Sequence, residues 1–304
     1  MFGYAGEEYA RSLTQIGDAL PLAKSGGWIL TRGLNGERVR DASGCYPLFS
    51  CKEWSRLDDD LHNLPHDIVA ISLVADPAAE VSIALLERVF PDVCYHYKDH
   101  FFADLTRPLT SFVSDHHQRN AKRSSQTLRI EMLAHPVEHL AIWIAFYDQL
   151  VARHQITGQA AFSRCSFEKQ LQVPGIRAYA AWKGEEMVGM ILWMVTAETA
   201  YYHLAAYSNV GYETKASFAL FWHCLEAFAA EGISRAAFGG GAGTVKSSEG
   251  LNRFKAGWSC EVRPAYLCGR ILDRPRYLEI VTRSGHNESS YFPAYRTPPS
   301  LIAA

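Results

Sequence analysis

Met187–Val195 (MVGMILWMV) constrains the fold of this chain more than any other stretch. A strand with one solvated face alternates apolar and polar residues; this run is apolar on both faces and has to be covered on both. Its neighbours supply the cover. Ile176–Trp182, a Lys183-Gly184 turn, Glu186–Thr196 and Thr199–Ser208 predict a three-stranded meander whose middle strand is central and buried. A helix over Thr214–Glu231 follows, with Thr214 as its cap and Phe221, Cys224, Leu225 and Phe228 as its buried stripe. Gly232 stops it, and Arg235–Phe238 is a further strand. A meander with one helix crossing to another strand predicts an α/β (α+β) fold with helices on a mixed sheet.

The first half is patterned less clearly. Tyr9, Leu13, Ile16 and Leu20 predict a helix over Glu7–Leu20, and Asn35-Gly36 predicts a hairpin between extended segments. Ile68–Val74 and Val93–Phe102 read as strands, Val81–Phe90 and Val137–His154 as helices, and Tyr266–Ile271 as a late strand. Ser114–Ser125 breaks the composition with Arg119, Lys122 and Arg123 and reads as a short basic helix joining two halves. The expected division is 1–113 for an N-terminal lobe, 114–127 for the linking helix and 128–284 for a C-terminal lobe. An aromatic tail over 285–304 is expected to dock back. With 304 residues, 48% of them apolar and 20% charged, the chain can bury a large core, and a net charge of −2 gives no global field for nucleic acid. The seven cysteines show no CxxC pair, and His116 and His117 lack the spacing of a helical metal pair, so no metal site is expected. With no basic leader or membrane-length apolar run in the sequence, a cytoplasmic location is expected.

The chemistry concentrates in one place. Gly239-Gly240-Gly241-Ala242-Gly243-Thr244 is followed by Gly250-Leu-Asn-Arg-Phe-Lys-Ala-Gly-Trp258. Glycine allows backbone to approach a ligand, and a lysine fixed beside it, Lys255, can hold a carboxylate, a phosphate or a developing oxyanion. Phe254 and Trp258 are expected to flank that cation; the alternative is a lysine stem lying over two aromatic rings. Gly239, Gly240, Gly241 and Thr244 are candidates to cradle substrate with backbone N–H groups. Gly211, Tyr212, Thr214 and Lys215 stand at a helix N-terminus, where an anion is welcome, or form an ordinary turn and cap. Arg119 and Arg123 suit a phosphate-rich acceptor, or a solvated basic face.

His203-Leu-Ala-Ala-Tyr-Ser208, Gly211-Tyr212, the helix from Thr214, the glycine run and Leu251-xx-Phe254-Lys255-x-Gly257-Trp258 occur in an order that resembles the FemAB-like branch of the GNAT acyltransferase superfamily. The resemblance covers roughly residues 110–272 well. It implies two GNAT-like lobes in tandem with a connecting basic helix. It implies transfer of an acyl or aminoacyl group to an amine of a small or carrier-bound acceptor, without a metal or a tightly bound cofactor. The donor it implies is acyl-CoA or a carrier thioester as co-substrate, or charged tRNA in Fem-type peptidyltransferases; a non-catalytic binding protein on the same fold is the third reading. Asn209–Lys215 stands where the family's R/Q-x-x-G-x-G/A pyrophosphate loop would lie and departs from it. For acylation of an amine, His203 is the candidate base by type and place, with a satisfied core histidine as its alternative. Tyr207 is the candidate acid and Glu213 a second base. Strand alternation would set Tyr201, His203, Ala205 and Tyr207 on one face.

Overall fold

The computed structural model describes residues 3–34, 37–241 and 245–298. The chain forms two compact units, Gly3–Tyr97 with the residues from Ala265 onward, and Lys98–Pro264. The first unit begins with α1 (Glu7–Ser12), β1 (Asp18–Leu22), β2 (Gly27–Gly33), β3 (Arg40–Gly44), α2 (Leu57–His62), β4 (Ile68–Val74) and α3 (Ile83–Val89). The chain leaves it within β5 (Val93–Asp104). The second unit adds α4 (Asp115–Ser124), β6 (Arg129–Met132), α5 (Leu140–His154), α6 (Arg164–Gln170), β7 (Ile176–Lys183), β8 (Glu186–Val195) and β9 (Thr199–Tyr207). It continues through α7 (Asn209–Glu213), α8 (Ala216–Ala230), β10 (Arg235–Gly239) and α9 (Val245–Ala256). Within β11 (Glu261–Ile271) the chain returns to the first unit, which ends with α10 (Arg274–Ser284). No described helix is long and apolar enough to cross a membrane.

In the first unit the strand order is β1-β2-β3-β4-β11, antiparallel except for the β3–β4 pair. The helix predicted over Glu7–Leu20 ends at Ser12, and Asp18–Leu22 is a strand with Leu20 opposite Ile29. Gly17 explains the change. A Cβ there would lie 2.4 Å from the Thr31 carbonyl oxygen, so the chain runs tightly against β2. Pro21 lacks the N–H that a helix interior needs. Asn35 and Gly36 lie outside the described residues, but the strands on either side of them pair antiparallel, as a hairpin requires. The aromatic tail packs on α10: Phe292 stacks on Tyr277 with ring centroids 5.9 Å apart, and the Ala294 N–H donates to the Tyr277 hydroxyl at 3.0 Å.

In the second unit the order is β5-β10-β9-β8-β7-β6, with β9 and β10 parallel and the other pairs antiparallel. The predicted meander is β7-β8-β9. From Met187 to Val195 every residue of β8 is buried, and Met190 lies between Ala180 of β7 and Ala206 of β9. Trp193 is the hub of the core. Its ring meets Phe228 at 5.2 Å and Phe221 at 5.7 Å, both edge to face. Each such contact adds about 0.5–1.5 kcal/mol beyond the area it buries.

One irregularity decides where the site candidates point. Leu192 faces Leu204 while Trp193 faces Tyr202, so His203 is the extra residue of a bulge. The bulge breaks the predicted alternation. Ala200 and Ala205 belong to the central core with Tyr202 and Tyr207 packed against them, whereas His203 turns to α6.

Candidate functional site

The site starts at the end of β10. Gly239 has φ of +70°, a left-handed conformation that favours glycine. A Cβ on Gly240 would lie 2.8 Å from the Asp99 carbonyl oxygen and 3.2 Å from both His100 Cδ2 and Lys98 Cβ. Only a glycine lets this run lie against β5. The carbonyls it brings there meet two lysines. Lys98 Nζ donates to Gly241 O at 2.9 Å, and Lys255 Nζ, arriving from α9, donates to Gly240 O at 2.5 Å.

Lys255 is 5% exposed. Its amine lies 5.5 Å from the centre of the Tyr202 ring, a cation–π position. Burial, and after it the charge of Lys98, pushes its pKa down to about 7. No ion pair joins it to any described residue. His100 is also buried, and its Nδ1 has no hydrogen-bond partner among the described residues. Burial first, then Lys255 and Lys98, pushes its pKa down to about 3, so the imidazole is neutral. Lys98 and His100 were not among the residues singled out in the sequence. The glycine run and Lys255 are close in sequence, but 143 residues separate Lys98 from Gly241, and nothing in the local pattern links them.

A second set of contacts fixes the helix that carries Lys255. His117 Nε2 donates to the Phe254 carbonyl at 3.0 Å, and Nδ1 lies 2.8 Å from the Ser114 hydroxyl. An acceptor carbonyl on one side assigns the proton to Nε2. Burial holds His117 below the ordinary histidine range. Gly257 makes room for this ring, since a Cβ there would lie 2.1 Å from His117 Cε1. Trp258 is fully buried, stacked on Phe221 at 5.4 Å and edge-on to His117 at 5.0 Å. Phe254 packs on Phe221 at 5.0 Å and Phe218 at 5.3 Å. The ring beside the Lys255 amine is therefore Tyr202, while Phe254 and Trp258 anchor α9 in the core.

His203 Nε2 lies 2.9 Å from Gln170 Oε1, and Gln170 Nε2 donates to the Ser166 hydroxyl at 2.8 Å. Burial pushes its pKa down to about 4. The Tyr207 ring presses on Gly189, where a Cβ would lie 2.5 Å from it, and burial raises its pKa well above the ordinary phenol value. Glu213 is the exposed last residue of α7.

The stretch expected to receive an anion is built as a packed turn. A Cβ on Gly211 would lie 2.0 Å from Val188 O. The Ser208 hydroxyl caps α7 by accepting from the Gly211 N–H at 3.2 Å. Thr214 does not cap α8: its hydroxyl donates back to Val210 O at 2.7 Å, and Lys215, with φ of +55°, holds the cap position. Lys215 Nζ donates to Asn120 Oδ1 of α4 at 2.8 Å. Tyr212 is 39% exposed with the Arg153 guanidinium 4.0 Å from its ring centre. Arg119 and Arg123 are exposed on α4 and form no ion pair with a described residue. Thr244 lies outside the described residues.

Residues 115–255 match the family model described as acetyltransferase (GNAT) domain. No curated protein matches the chain in sequence. Among solved structures it is similar to FemX, with a TM-score of 0.66 at 11% identity over 90% of this chain and 93% of that one. It is similar to the C-terminal domain of a putative lysylphosphatidylglycerol synthetase from Agrobacterium fabrum, with a TM-score of 0.62 at 15% identity over 88% and 90%. L-PGS from Bacillus licheniformis gives 0.60 at 14% identity over 93% and 98%. The domain match covers α4 through Lys255, which includes the glycine run but not Lys98 and His100 of β5, and the structural matches run through both units. Residues 115–255 are thus similar to an acetyltransferase (GNAT) domain, and the chain has the fold of FemX and of the lysylphosphatidylglycerol synthetase domain.

Proposed function

We propose that the chain is an N-acyltransferase that moves an acyl group from an activated donor to a substrate amine by direct attack. The observation that carries this reading is the buried Lys255 amine. Once protonated it has three N–H donors, of which Gly240 O takes one. A second can grip the donor's carbonyl oxygen and hold the charge that develops on it as the amine nitrogen attacks. When the tetrahedral intermediate collapses, the bond from carbon to the leaving sulfur or oxygen breaks, and the leaving group takes the proton that the amine gives up. Positioning and charge stabilisation supply the rate. An acyl-CoA or carrier thioester is the donor in this reading. His117, Gly257 and Trp258 act by holding α9 in register.

A specific observation favours a second donor, an aminoacyl ester on tRNA. Where a pyrophosphate would be held before α8, Gly211 is packed on Val188 O, the Thr214 hydroxyl is bonded to Val210 O and Lys215 is bonded to Asn120. Arg119 and Arg123 offer cations on α4 instead, and one structural neighbour is named as a putative lysylphosphatidylglycerol synthetase. Thermal-shift titration with acetyl-CoA and with charged tRNA separates the donors, because a ligand that binds only the native state raises its melting temperature. Steep loss of binding with salt marks the tRNA donor. With the donor known, Lys255→Ala is expected to lower turnover about 10²–10³-fold. Unchanged turnover in that variant would remove Lys255 from the mechanism.

A further inference from the structure

Three basic side chains converge on two glycines. Lys255 Nζ holds Gly240 O, Lys98 Nζ holds Gly241 O, and the His100 ring lies against Gly240. Strand alternation puts Lys98 and His100 on one face of β5 and the Asp99 side chain on the other. The titratable groups nearest the Lys255 amine and its glycines are Lys98 and His100 of β5 and Tyr202 of β9, and the carboxylates on the packed elements are Asp99 and Asp104 of β5, Asp115 of α4 and Glu249 of α9. Two features here are costly without a ligand. Among the described residues, an amine that is 5% exposed has a single carbonyl as its hydrogen-bond partner, and the buried His100 Nδ1 has none. Buried polar groups are as a rule satisfied, and one that is not calls for a cause.

We propose that Lys98, His100 and Lys255, gathered about Gly240 and Gly241, form a subsite for an anionic group carried by the substrate, a carboxylate or a phosphate ester. The His100 imidazole donates from Nδ1 to one oxygen of the anion. Lys255 gives it the N–H that neither Gly240 O nor the reacting carbonyl uses, and Lys98 supplies a second positive charge. The subsite deepens the acyl-transfer reading by naming the class of substrate, and it rests on that reading only in assigning the anion to a substrate. Because the anion stabilises the ammonium over the neutral amine, its binding takes up a proton above pH 7 and weakens as pH rises further.

The test is calorimetry on the full chain at pH 7.5 with sodium sulfate as the phosphate probe and sodium acetate as the carboxylate probe. Each is titrated in HEPES and in Tris, whose ionisation enthalpies differ. Saturable binding with uptake of roughly 0.8 proton per anion is expected, the fraction of Lys255 left neutral at that pH. Tighter sulfate assigns a phosphate ester and tighter acetate a carboxylate, and either order supports the subsite. Binding is expected to weaken at least tenfold in Lys255→Met and about threefold or more in His100→Phe and Lys98→Gln, with circular dichroism unchanged. The inference falls if neither anion saturates in the wild type, if no proton is taken up, or if the folded variants bind as tightly as the wild type. The titration contains no acyl donor. Anion binding in a protein that transfers no acyl group would sink the acyl-transfer reading alone, and acyl transfer without anion binding would sink the subsite alone.

Discussion

Replacing Lys255 with methionine keeps the stem in its apolar channel and removes the amine, and its effect on stability has a sign and a pH window that the structure fixes. The ordinary lysine value of 10.5 falls to about 7 in the folded protein because the amine is buried and faces Lys98. A lowered value means that the unfolded chain binds more protons than the native one between those limits. Native stability therefore rises with pH across that window, and the penalty is fully in place below it. For this one group, linkage gives the wild type about 2 kcal/mol between pH 7 and pH 9, and only about 0.4 kcal/mol between pH 5 and pH 7. Methionine also loses the bond to Gly240 O, a cost of about 1 kcal/mol that does not change with pH. The stability of Lys255→Met minus that of the wild type should therefore be largest near pH 5–7 and shrink by about 2 kcal/mol at pH 9. Urea unfolding at pH 5, 7 and 9 in a chloride buffer without oxyanions reads the difference. A difference that stays constant from pH 7 to pH 9 would refute a desolvated Lys255, and with it both the oxyanion role and the anion subsite. If the subsite is real, saturating sulfate should flatten the wild-type slope by paying for the ammonium.

Two further outcomes follow from contacts that position the site. Gly257→Ala drives a Cβ into the His117 ring and should cost about 1–3 kcal/mol, as overpacking does; His117→Ala, which empties that space, should make the second substitution nearly neutral, and equal losses in both backgrounds would refute the packing account. His203, held by Gln170 and pushed down to about 4, should show no imidazole titration by NMR between pH 6 and pH 8; a transition near 6.5 there would restore it as a base that works at neutral pH.

What could be read from the residues divides along a physical line. The β7-β8-β9 meander was legible because a strand covered on both faces has few apolar alternatives, and Met187–Val195 was read as central and is central. That Lys255 lies beside the glycine run was legible because the two are near in sequence, and its amine donates to Gly240 O. The helix over Glu7–Leu20 failed where apolar spacing fits two structures at once: Leu20 suits a helical stripe, yet it faces Ile29 across a strand pair that Gly17 makes possible. His203 failed for a related reason. Period-two counting assumes an unbroken ladder, and one extra residue opposite Leu192 and Trp193 sends its ring to Gln170 instead of sharing a face with Tyr207. Thr214 has the chemistry of a cap, but helical turns on both sides of it let its hydroxyl bond backward, and the cap position passes to Lys215.

Lys98 and His100 show what single-sequence reading lacks. Each alone is an ordinary polar residue of a strand. They matter because β10 pairs with β5 and carries Gly240 to within contact of both. That pairing joins residues more than a hundred positions apart, at a register that no local pattern sets. Burial lowers the pKa of the Lys255 amine most, and Lys98, a neighbour the motif does not contain, lowers it further, so the sheet order adds to what the motif sets. A protein with the same Phe-Lys-x-Gly-Trp block but an apolar residue at the position of Lys98 would hold its lysine at a higher pKa, and would take up fewer protons on binding the same anion.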